Sequence, residues 1–263
     1  MRPAIITLTT DFGTTDHYVG EMKGVILSMA PRAAIVDITH EIPAHDVMEA
    51  GWVLRHACGA FPRGSVHVAV VDPGVGTSRR PIIAKAAGRW FVGPDNGIFA
   101  WVFAEHPPSE IRLLTSARRI SATFHGRDLF APAAARLASG KAAASLGPKI
   151  KRWLRLEIPR PEKLRRGRMR ATVIHVDRFG NVILNLTREE IAAMGGLARG
   201  ARMTLLAGRR RVSHHVRTYA QIPAGGVATL INSAGHLELA ANCARADRKL
   251  GVARGKTIDM RIE

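Results

Sequence analysis

Two short stretches of the 263-residue sequence place a carboxylate, a guanidinium and an imidazole where they could handle a proton. Asp72 follows a predicted strand, and a glycine-rich turn brings Arg79 back towards it seven residues later. His125 precedes a predicted alanine-rich helix, whose N-terminal dipole would keep the imidazole neutral, as a general base requires. Each has a structural alternative, because the Asp–Arg pair can be a salt bridge across the turn and the histidine can serve packing alone.

The glycine-rich turn after Asp72 does not match a nucleotide-phosphate loop. Its residues, DPGVGTSRRP, contain neither the GxGxxG nor the GxxxxGKS/T spacing, and Pro81 would stop a following helix. The histidines of the chain show no ligand spacing such as HExxH. The sequence therefore predicts neither a phosphate loop at this turn nor a transition-metal site.

Other polar residues also follow predicted strands. Asp11 stands just past the first strand, where a carboxylate could accept hydrogen bonds from ribose hydroxyls. An Asx-turn or a helix cap is the structural alternative for that residue. In the second half, the stretches 177–181 and 232–238 carry polar groups in tight turns between strands. Hairpin-turn chemistry is the structural alternative for both stretches.

These polar residues need a scaffold that brings strand ends together, and the hydrophobic pattern predicts one. Short apolar strands alternate with helices whose apolar residues recur at three- and four-residue spacing. The predicted strands are 4–8, 34–38 and 65–71, and the predicted helices are 18–29 and 47–60. This order predicts a parallel sheet with functional loops at the carboxyl ends of its strands. A predicted hairpin, 82–86 with 89–92, extends the sheet.

The second half of the chain has a different pattern. A proline-containing, highly charged stretch interrupts the alternation and is typical of an interdomain linker. Thr187 and Glu190 then form a predicted capping box. The predicted strands beyond the linker, which indicate a small β-barrel or sandwich, are 171–176, 182–186, 203–206 and 227–231. We therefore expect an N-terminal α/β domain over 1–149, a linker over 150–169 and a C-terminal β domain over 170–263.

The sequence carries a large positive charge, because 39 lysines and arginines against 21 acidic residues give a net charge of +18. Much of the excess lies in two basic runs, 149–170 and 202–217. Such a charge raises the question of a nucleic-acid partner. Only 5% of the residues are aromatic, however, which leaves little surface for base stacking. Solvated basic faces are therefore favoured over a nucleic-acid site.

The sequence also bears on compartment and membrane association. No apolar run approaches the roughly 18 residues that a membrane-spanning helix needs, and the N-terminus shows no signal-peptide pattern. Two cysteines, Cys58 and Cys243, are too few to suggest a disulfide framework. We expect a cytoplasmic protein with free thiols and no membrane partner.

Six motifs occur in an order that resembles one family. They are TTDFGTTDHYVGEMKG, VVDPGVGTSRRP, GPDNGIF, TFHGRDLFAPAAA, DRFGNVILN and INSAGHLELA. Together they resemble the adenosine-forming S-adenosyl-L-methionine hydrolases, which are related to fluorinase. The matches run from Ile5 to about Leu250, so the resemblance covers nearly the whole chain.

The resemblance implies a fold, an activity and an assembly. The fold would be an N-terminal α/β domain with a largely parallel sheet and a smaller C-terminal β-barrel. The reaction would be hydrolysis of S-adenosyl-L-methionine to adenosine and L-methionine, with no cofactor and no metal. The protein would be a homotrimer whose substrate lies between the N-terminal domain of one subunit and the C-terminal domain of its neighbour.

The resemblance also implies roles for individual residues. Asp72, Arg79 and His125 would hold the attacking water, with Arg80 as an alternative for the arginine. The implied substrate contacts are Asp11 for the ribose hydroxyls, Asp177 and Asn181 near the ribose or adenine, Phe179 and Tyr219 on the purine face, and Ser233 and Glu238 at the methionine end.

Two competing functions remain at this point. The halogenating members of the family resemble this chain but carry Tyr where Asp72 and His125 stand, and fluorinase has Ser where Gly126 stands. The acid–base pair and the missing hydroxyl favour water over halide as the nucleophile. A halide-dependent adenosyltransferase is therefore the second hypothesis, and a basic nucleic-acid-binding protein is the third.

Overall fold

The protein divides into two compact units, Met1–Ile158 and Pro159–Glu263, in the computed structural model. The boundary between them falls inside the stretch that the sequence predicts as a linker, residues 150–169. The structure describes residues 3–116, 119–165, 167–197, 201–208 and 210–263. Arg166 and Arg209, which belong to the two basic runs, lie outside the described residues.

The first unit is built on a mixed, mostly parallel sheet of six strands. Its strands are Ile5–Thr10 (β1), Ala34–Thr39 (β2), Val66–Val70 (β3), Pro81–Ala86 (β4), Arg89–Pro94 (β5) and Glu110–Leu113 (β6). They are ordered β2-β1-β3-β5-β4-β6, and β4 runs antiparallel to both β5 and β6. The predicted α/β class and the predicted hairpin are confirmed.

Helices cover both faces of this sheet. They are Tyr18–Met29 (α1), Val47–Cys58 (α2), Ala100–Glu105 (α3) and Ala131–Ala138 (α4), with a π-helical turn over Gly126–Phe130 and a 3₁₀ turn over Ala143–Leu146. Helices α1 and α4 pack with Val66, Val68 and Val70 of β3 in one core cluster. Ala69 and Val71 point into a second cluster with α2 and α3. Burial on both faces explains why β3 is apolar at every position except His67.

The second unit is an antiparallel, nearly closed, barrel-like sheet. Its strands are Glu162–Lys163 (β7), Arg168–Val176 (β8), Val182–Thr187 (β9), Met203–Ala207 (β10), Arg210–Val212 (β11), Val227–Ile231 (β12), His236–Ala241 (β13) and Thr257–Ile262 (β14), with helices Arg188–Ala193 (α5) and Ala246–Leu250 (α6). The order is β11-β10-β14-β8-β9-β13-β12, and β7 pairs with β8. The predicted capping box is present, because Thr187 and Glu190 exchange side-chain hydrogen bonds with each other's backbone.

The outward face of the second sheet is rich in arginine. Arg168 and Arg170 both donate to Asp259, at 3.1 and 2.9 Å, and Arg261 lies 2.9 Å from Glu263. Part of the charge of the basic runs is therefore balanced locally.

None of the described helices is long and apolar enough to span a bilayer.

The first sheet contains a completely buried histidine, His67 on β3. Its Nδ1 lies 2.7 Å from the Thr7 hydroxyl of β1, and its ring stacks on Phe91 with centroids 5.1 Å apart. Burial, and to a smaller extent the charge of Arg89, lowers the pKa of His67 to about 4. The folded protein therefore holds this imidazole neutral well below the pH at which an exposed histidine is protonated.

We expect His67 to make the protein less stable in acid. The ordinary pKa of a histidine is 6.5, so the unfolded chain takes up this proton first as the pH falls, and stability is lost between pH 6.5 and about pH 4. The loss from this group should be about 3 kcal/mol. Urea unfolding at neutral pH and near pH 4 measures it, with His67→Gln as the reference protein. Equal acid-induced losses in both proteins would contradict the prediction.

Candidate functional site

Asp72, Arg79 and His125 converge, although the histidine comes from a separate part of the chain. Arg79 donates through Nε to Asp72 Oδ1 at 2.9 Å and through Nη2 to Asp72 Oδ2. The same Nη2 lies 2.9 Å from His125 Nδ1. The Asp72 and Arg79 side chains are only 5% and 7% exposed. The guanidinium is thus a buried bridge between the carboxylate and the imidazole.

This geometry fixes the tautomer of His125. A guanidinium can only donate hydrogen bonds, so His125 Nδ1 must accept from Arg79. The proton of the neutral ring then sits on Nε2. As placed, neither ring nitrogen is free to take a further proton, whereas the Asp72 carboxylate has acceptor capacity beyond its two bonds to Arg79. The buried Nη1 of Arg79 is a donor with no partner among the described residues.

Burial shifts the pKa values of both titratable groups in this cluster. It raises the pKa of the Asp72 carboxyl above 3.8, a shift that the Arg79 charge and its hydrogen bonds oppose but do not cancel. Burial also lowers the pKa of His125 below 6.5, and the Arg79 charge acts in the same direction. Burial therefore disfavours the charged form of both groups.

The backbone of the turn after β3 explains how Arg79 returns to Asp72. The Val75 amide donates to the Asp72 carbonyl at 3.1 Å, and the Thr77 hydroxyl donates to the Gly74 carbonyl at 2.7 Å. Thr77 Oγ1 in turn accepts from the Arg79 amide at 3.2 Å. A chain of short-range hydrogen bonds thus closes the turn, and it uses the Gly and Thr residues that the motif supplies.

A cavity of about 330 Å³ in the first unit adjoins Asp72 and His125. Its wall includes three aromatic rings, Phe12, Tyr18 and Phe124, whose centroids lie 5.2 to 6.0 Å apart. The sequence reasoning did not single out these rings as substrate contacts. All three stand within the quoted motifs, and Phe12 and Phe124 directly adjoin Asp11 and His125 in the sequence, which is the signal that could have found them.

Asp11 lines the same cavity and also has a structural task. Its Oδ2 accepts a hydrogen bond from the backbone amide of His45 at 2.9 Å. His45 adopts a left-handed backbone conformation with φ 67°, which is uncommon for a residue other than glycine. The carboxylate therefore stabilises an uncommon turn while its other oxygen stays available to a ligand.

Arg80, the alternative for the arginine, lies elsewhere. Its guanidinium donates to Asp95 and to the carbonyl of Arg152. No contact of Arg80 with Asp72 or His125 occurs in the described part of the chain. Within this geometry Arg79 is the arginine of the cluster.

In the second unit, Asp177 and Asn181 are bonded to each other across a tight turn. Asp177 Oδ1 accepts from the Asn181 amide and Oδ2 from the Asn181 side chain, both at 2.9 Å. Phe179 stands at the tip of the turn with 74% of its surface exposed. The hydrogen bonds of a hairpin turn, which were the structural alternative for this stretch, are therefore present. The exposed ring of Phe179 lies in the same turn.

Glu238 is buried within a second cluster of the second unit. One carboxylate oxygen accepts from the Tyr219 hydroxyl at 2.9 Å and the other from the Asn232 amide group at 3.1 Å. Burial raises the pKa of Glu238. Burial, together with the hydrogen bond to Glu238, raises the pKa of Tyr219 to about 12. Ser233 is exposed on the adjoining turn. Asn232, which the sequence reasoning left out of the site, is the residue that holds this turn and Glu238 together.

Two family models match this chain, one in each unit. The model described as the SAM hydroxide adenosyltransferase N-terminal domain matches residues 6–147. The corresponding C-terminal domain model matches residues 171–259.

Individual proteins of known name are also similar. A Thermus thermophilus protein named (R)-S-adenosyl-L-methionine hydrolase is 39% identical, over 98% of this chain and 99% of that protein. A fluorinase from an Actinoplanes species is 27% identical, over 97% of this chain and 96% of that protein. Among solved structures, an uncharacterized conserved protein from Thermotoga maritima has a TM-score of 0.90 and 34% identity, over 97% of this chain and 99% of that chain.

The packing of Gly76 generates a prediction about the site. Gly76 has φ 77°, and a Cβ added there would lie 2.5 Å from the Ala122 carbonyl, in the stretch that leads to His125. Gly76→Ala should therefore destabilise the protein by more than the roughly 1–2 kcal/mol that left-handed backbone alone costs an alanine. Gly64→Ala is the matched control, since Gly64 has φ 89° and open space around it. Equal losses of stability in thermal unfolding would show that the contact with Ala122 is unimportant.

Proposed function

The chain belongs to the SAM hydroxide adenosyltransferase family, and we propose that it hydrolyses S-adenosyl-L-methionine to adenosine and L-methionine. The observation that carries the proposal is the convergence of Asp72, Arg79 and His125 beside an aromatic-lined cavity. The names of the full-length relatives that are 37–39% identical to this chain give the same activity for those proteins.

The reaction requires little more than a positioned water. The water oxygen attacks C5′ of the substrate, and the C5′–S bond breaks opposite to it. Methionine leaves as a neutral thioether with both electrons of that bond, so no general acid is needed. One proton of the water must be accepted as the C5′–O bond forms. The enzyme therefore has to supply alignment and a proton acceptor.

The geometry of the cluster suggests a role for each member. Asp72 accepts the proton, since its carboxylate keeps acceptor capacity and its pKa is raised by burial. Arg79 holds the carboxylate and the imidazole in place through the hydrogen bonds that it donates to both. His125 accepts from Arg79 through Nδ1, which leaves Nε2–H to orient the nucleophile.

The aromatic wall of the cavity suits the substrate's sulfonium centre. Phe12, Tyr18 and Phe124 present ring faces and edges, and a cation is attracted to aromatic faces within about 6 Å. Positive charge on sulfur is lost in the transition state, so a dry, weakly polar pocket favours the reaction. The nucleoside end would contact Asp11 through its ribose hydroxyls.

The remaining substrate contacts that we propose lie in the second unit. Phe179 is exposed enough to pack on the purine. Asp177 and Asn181 would contact the ribose or adenine, Tyr219 the purine face, and Ser233 and Glu238 the methionine end. Because Glu238 already accepts two hydrogen bonds, its contribution at the methionine end is a negative field as well as a direct contact.

A feature of Gly126 favours water over halide as the nucleophile. A Cβ added at this position would lie 3.1 Å from both Met22 Sδ and a ring carbon of Phe124. A serine there would therefore require its neighbours to shift, and the chain as it stands offers no hydroxyl at this position. We retain hydrolysis as the proposal on this ground and on the presence of Asp72 and His125.

We further propose a homotrimer in which each active site combines the first unit of one subunit with the second unit of a neighbour. The division of the candidate residues supports this arrangement. Asp72, Arg79 and His125 belong to Met1–Ile158, whereas the proposed purine and methionine contacts belong to Pro159–Glu263. Closed cyclic assemblies place such complementary halves against each other at every interface.

We expect His125→Ala to lower the rate of adenosine formation by about 10²- to 10⁴-fold, the usual range for a positioned acid–base group. Binding of S-adenosyl-L-methionine should be largely retained, because the loss falls on the transition state. Chromatography of adenosine and calorimetry of binding measure the two quantities, and His106→Ala, an exposed histidine of the same unit, is the control. An unchanged turnover in His125→Ala would remove the residue from the mechanism.

The pH profile of the wild-type enzyme provides a second test of the cluster. Asp72 and His125 must both be deprotonated, so kcat/KM, which reports on the free enzyme, should fall as the pH drops through their pKa values. Burial raises the pKa of Asp72 above its ordinary 3.8, so this acid limb should lie above pH 3.8, and the pKa of His125, lowered from 6.5, adds no limb above that value. Steady-state kinetics across the acid range measures it. A kcat/KM that stays constant down to pH 3.8 would contradict the assignment.

Mixing of inactive subunits tests the shared site. His125→Ala and Asp177→Ala should each be inactive alone, yet an equal mixture that exchanges subunits should regain about one quarter of the wild-type sites. A mixture of His125→Ala with Asp72→Asn should stay inactive, because both variants carry their change in the first unit and no subunit then supplies an intact first unit. Absence of recovery in the first mixture, with subunit exchange verified by mass spectrometry, would place each complete site within one subunit.

A further inference from the structure

We infer that Asp95 and Asn96 are positioning residues that fix the two ends of the loop carrying Asp72 and Arg79. This inference rests on the proposed function, since it assigns these two residues a part in the same reaction. Both belong to the GPDNGIF motif and follow directly on β5, which lies between β3 and β4 in the sheet. The loop leaves β3 and enters β4, so its two ends lie on either side of this position.

Asn96 holds the outgoing end of the loop. Its side-chain amide donates to the carbonyl of Val71, the residue immediately before Asp72, at 2.8 Å. Its own Oδ1 accepts from the Ile98 amide at 3.2 Å, so the side chain cannot rotate away without losing both bonds. The close approach of β5 to β3 requires glycine at position 93, because a Cβ there would lie 2.3 Å from the Ala69 carbonyl and clash with it.

Asp95 holds the returning end. Its backbone amide donates to the Arg80 carbonyl at 2.8 Å, and its carboxylate accepts from the Arg80 guanidinium. The other carboxylate oxygen accepts from the Leu154 amide at 2.8 Å. The Asp95 side chain is only 3% exposed, so this carboxylate is a buried charge that depends on these partners. Arg80 is thereby fixed next to Arg79, which explains why two adjacent arginines have different tasks.

The chemical consequence follows from the origin of His125. The Arg79–His125 hydrogen bond joins two loops that are separate in sequence, so its length depends on where each loop is held. A shift of the Asp72–Arg79 loop by a fraction of an ångström would lengthen this bond and misalign the water. Misplacement of about 1 Å can cost about 100-fold in rate.

The test is Asn96→Asp, a substitution of equal shape that keeps the acceptor for Ile98 and removes the donor to Val71. The matched control is Asn185→Asp in the second unit, where the buried asparagine donates to the Pro159 carbonyl and accepts from the Thr172 amide. Asn96→Asp should lower kcat by about 10- to 100-fold with little change in KM, since the loss lies in alignment. Asn185→Asp should leave kcat within about twofold at a temperature where both variants are folded.

A second readout does not depend on turnover. Arg79, Asp72 and Asp128 are the charged groups that face His125, and withdrawal of the Arg79 charge would raise the pKa of the imidazole. An NMR titration of His125 should therefore show an upward shift in Asn96→Asp and none in Asn185→Asp; because the new carboxylate of Asn96→Asp itself raises the pKa of a nearby imidazole, the deciding titration is that of Asp95→Asn, which adds no negative charge. Asp95→Asn, which keeps the acceptor for Leu154 but removes the charge partner of Arg80, should reproduce both effects.

The outcomes separate the inference from the proposed function. If the wild-type protein forms no adenosine, the proposed function fails and the His125 titration alone decides the inference. If it does form adenosine, an unchanged kcat in Asn96→Asp overturns the inference. A fall in kcat with an unchanged His125 titration also overturns it, because the loss would then not pass through the Arg79–His125 contact.

Discussion

The buried guanidinium of Arg79 is the constraint to which the surrounding structure conforms. A charge removed from water must be paired and hydrogen-bonded, and here Asp72 provides the pairing and His125 provides a further acceptor. The requirement fixes the tautomer of the imidazole. Arg79 returns to Asp72 through the glycine-rich turn, in which a Cβ at Gly76 would lie 2.5 Å from the Ala122 carbonyl. The turn that returns Arg79 to Asp72 thus also buries the ion pair.

The second unit solves a similar problem by different means. Its buried carboxyl group, Glu238, has two neutral hydrogen-bond donors, Tyr219 and Asn232, and no ion pair with a guanidinium among the described residues. Burial raises the pKa of Glu238 more than the hydrogen bonds from Tyr219 and Asn232 lower it, and burial together with the bond to Glu238 raises the pKa of Tyr219 to about 12. The first unit therefore contains a buried ion pair, and the second a buried carboxyl group held by neutral donors.

The sequence predicts well whatever depends on neighbours along the chain. The periodicity of α1, the apolar run of β3 and the capping box at Thr187 are local patterns, and each element lies within one or two residues of its prediction. Local patterns place Asp72 after a strand and His125 before a helix, whereas the grouping of Asp72, Arg79 and His125 into one set is what the resemblance to the family implies. Local patterns do not separate Arg79 from Arg80, because the position of Arg80 depends on Asp95, which lies in the loop after β5.

Long-range packing accounts for the other differences. Ile150 and Trp153, within the expected linker, pack against the core of the first unit, a contact that their basic neighbours in the sequence conceal. The aromatic wall formed by Phe12, Tyr18 and Phe124 draws on two distant segments, so no single pattern reveals it. The role of Asn232 is not evident from the sequence, because its side chain donates to Glu238 on the following strand. In each case the missing information is a contact between segments that are remote in sequence.

The arginine-rich outer face of the second sheet has a kinetic consequence. Asp259 and Glu263 neutralise only part of it, and the chain as a whole carries +18. S-adenosyl-L-methionine is itself a net cation, so the far field of the protein repels the molecule that the cavity must admit. Counterions limit this repulsion to a Debye length of about 8 Å at physiological ionic strength. Adenosine and methionine carry no net charge, so the field opposes the arrival of the reactant and is indifferent to the departure of the products. Added salt should therefore accelerate capture, the reverse of the familiar steering of an oppositely charged ligand.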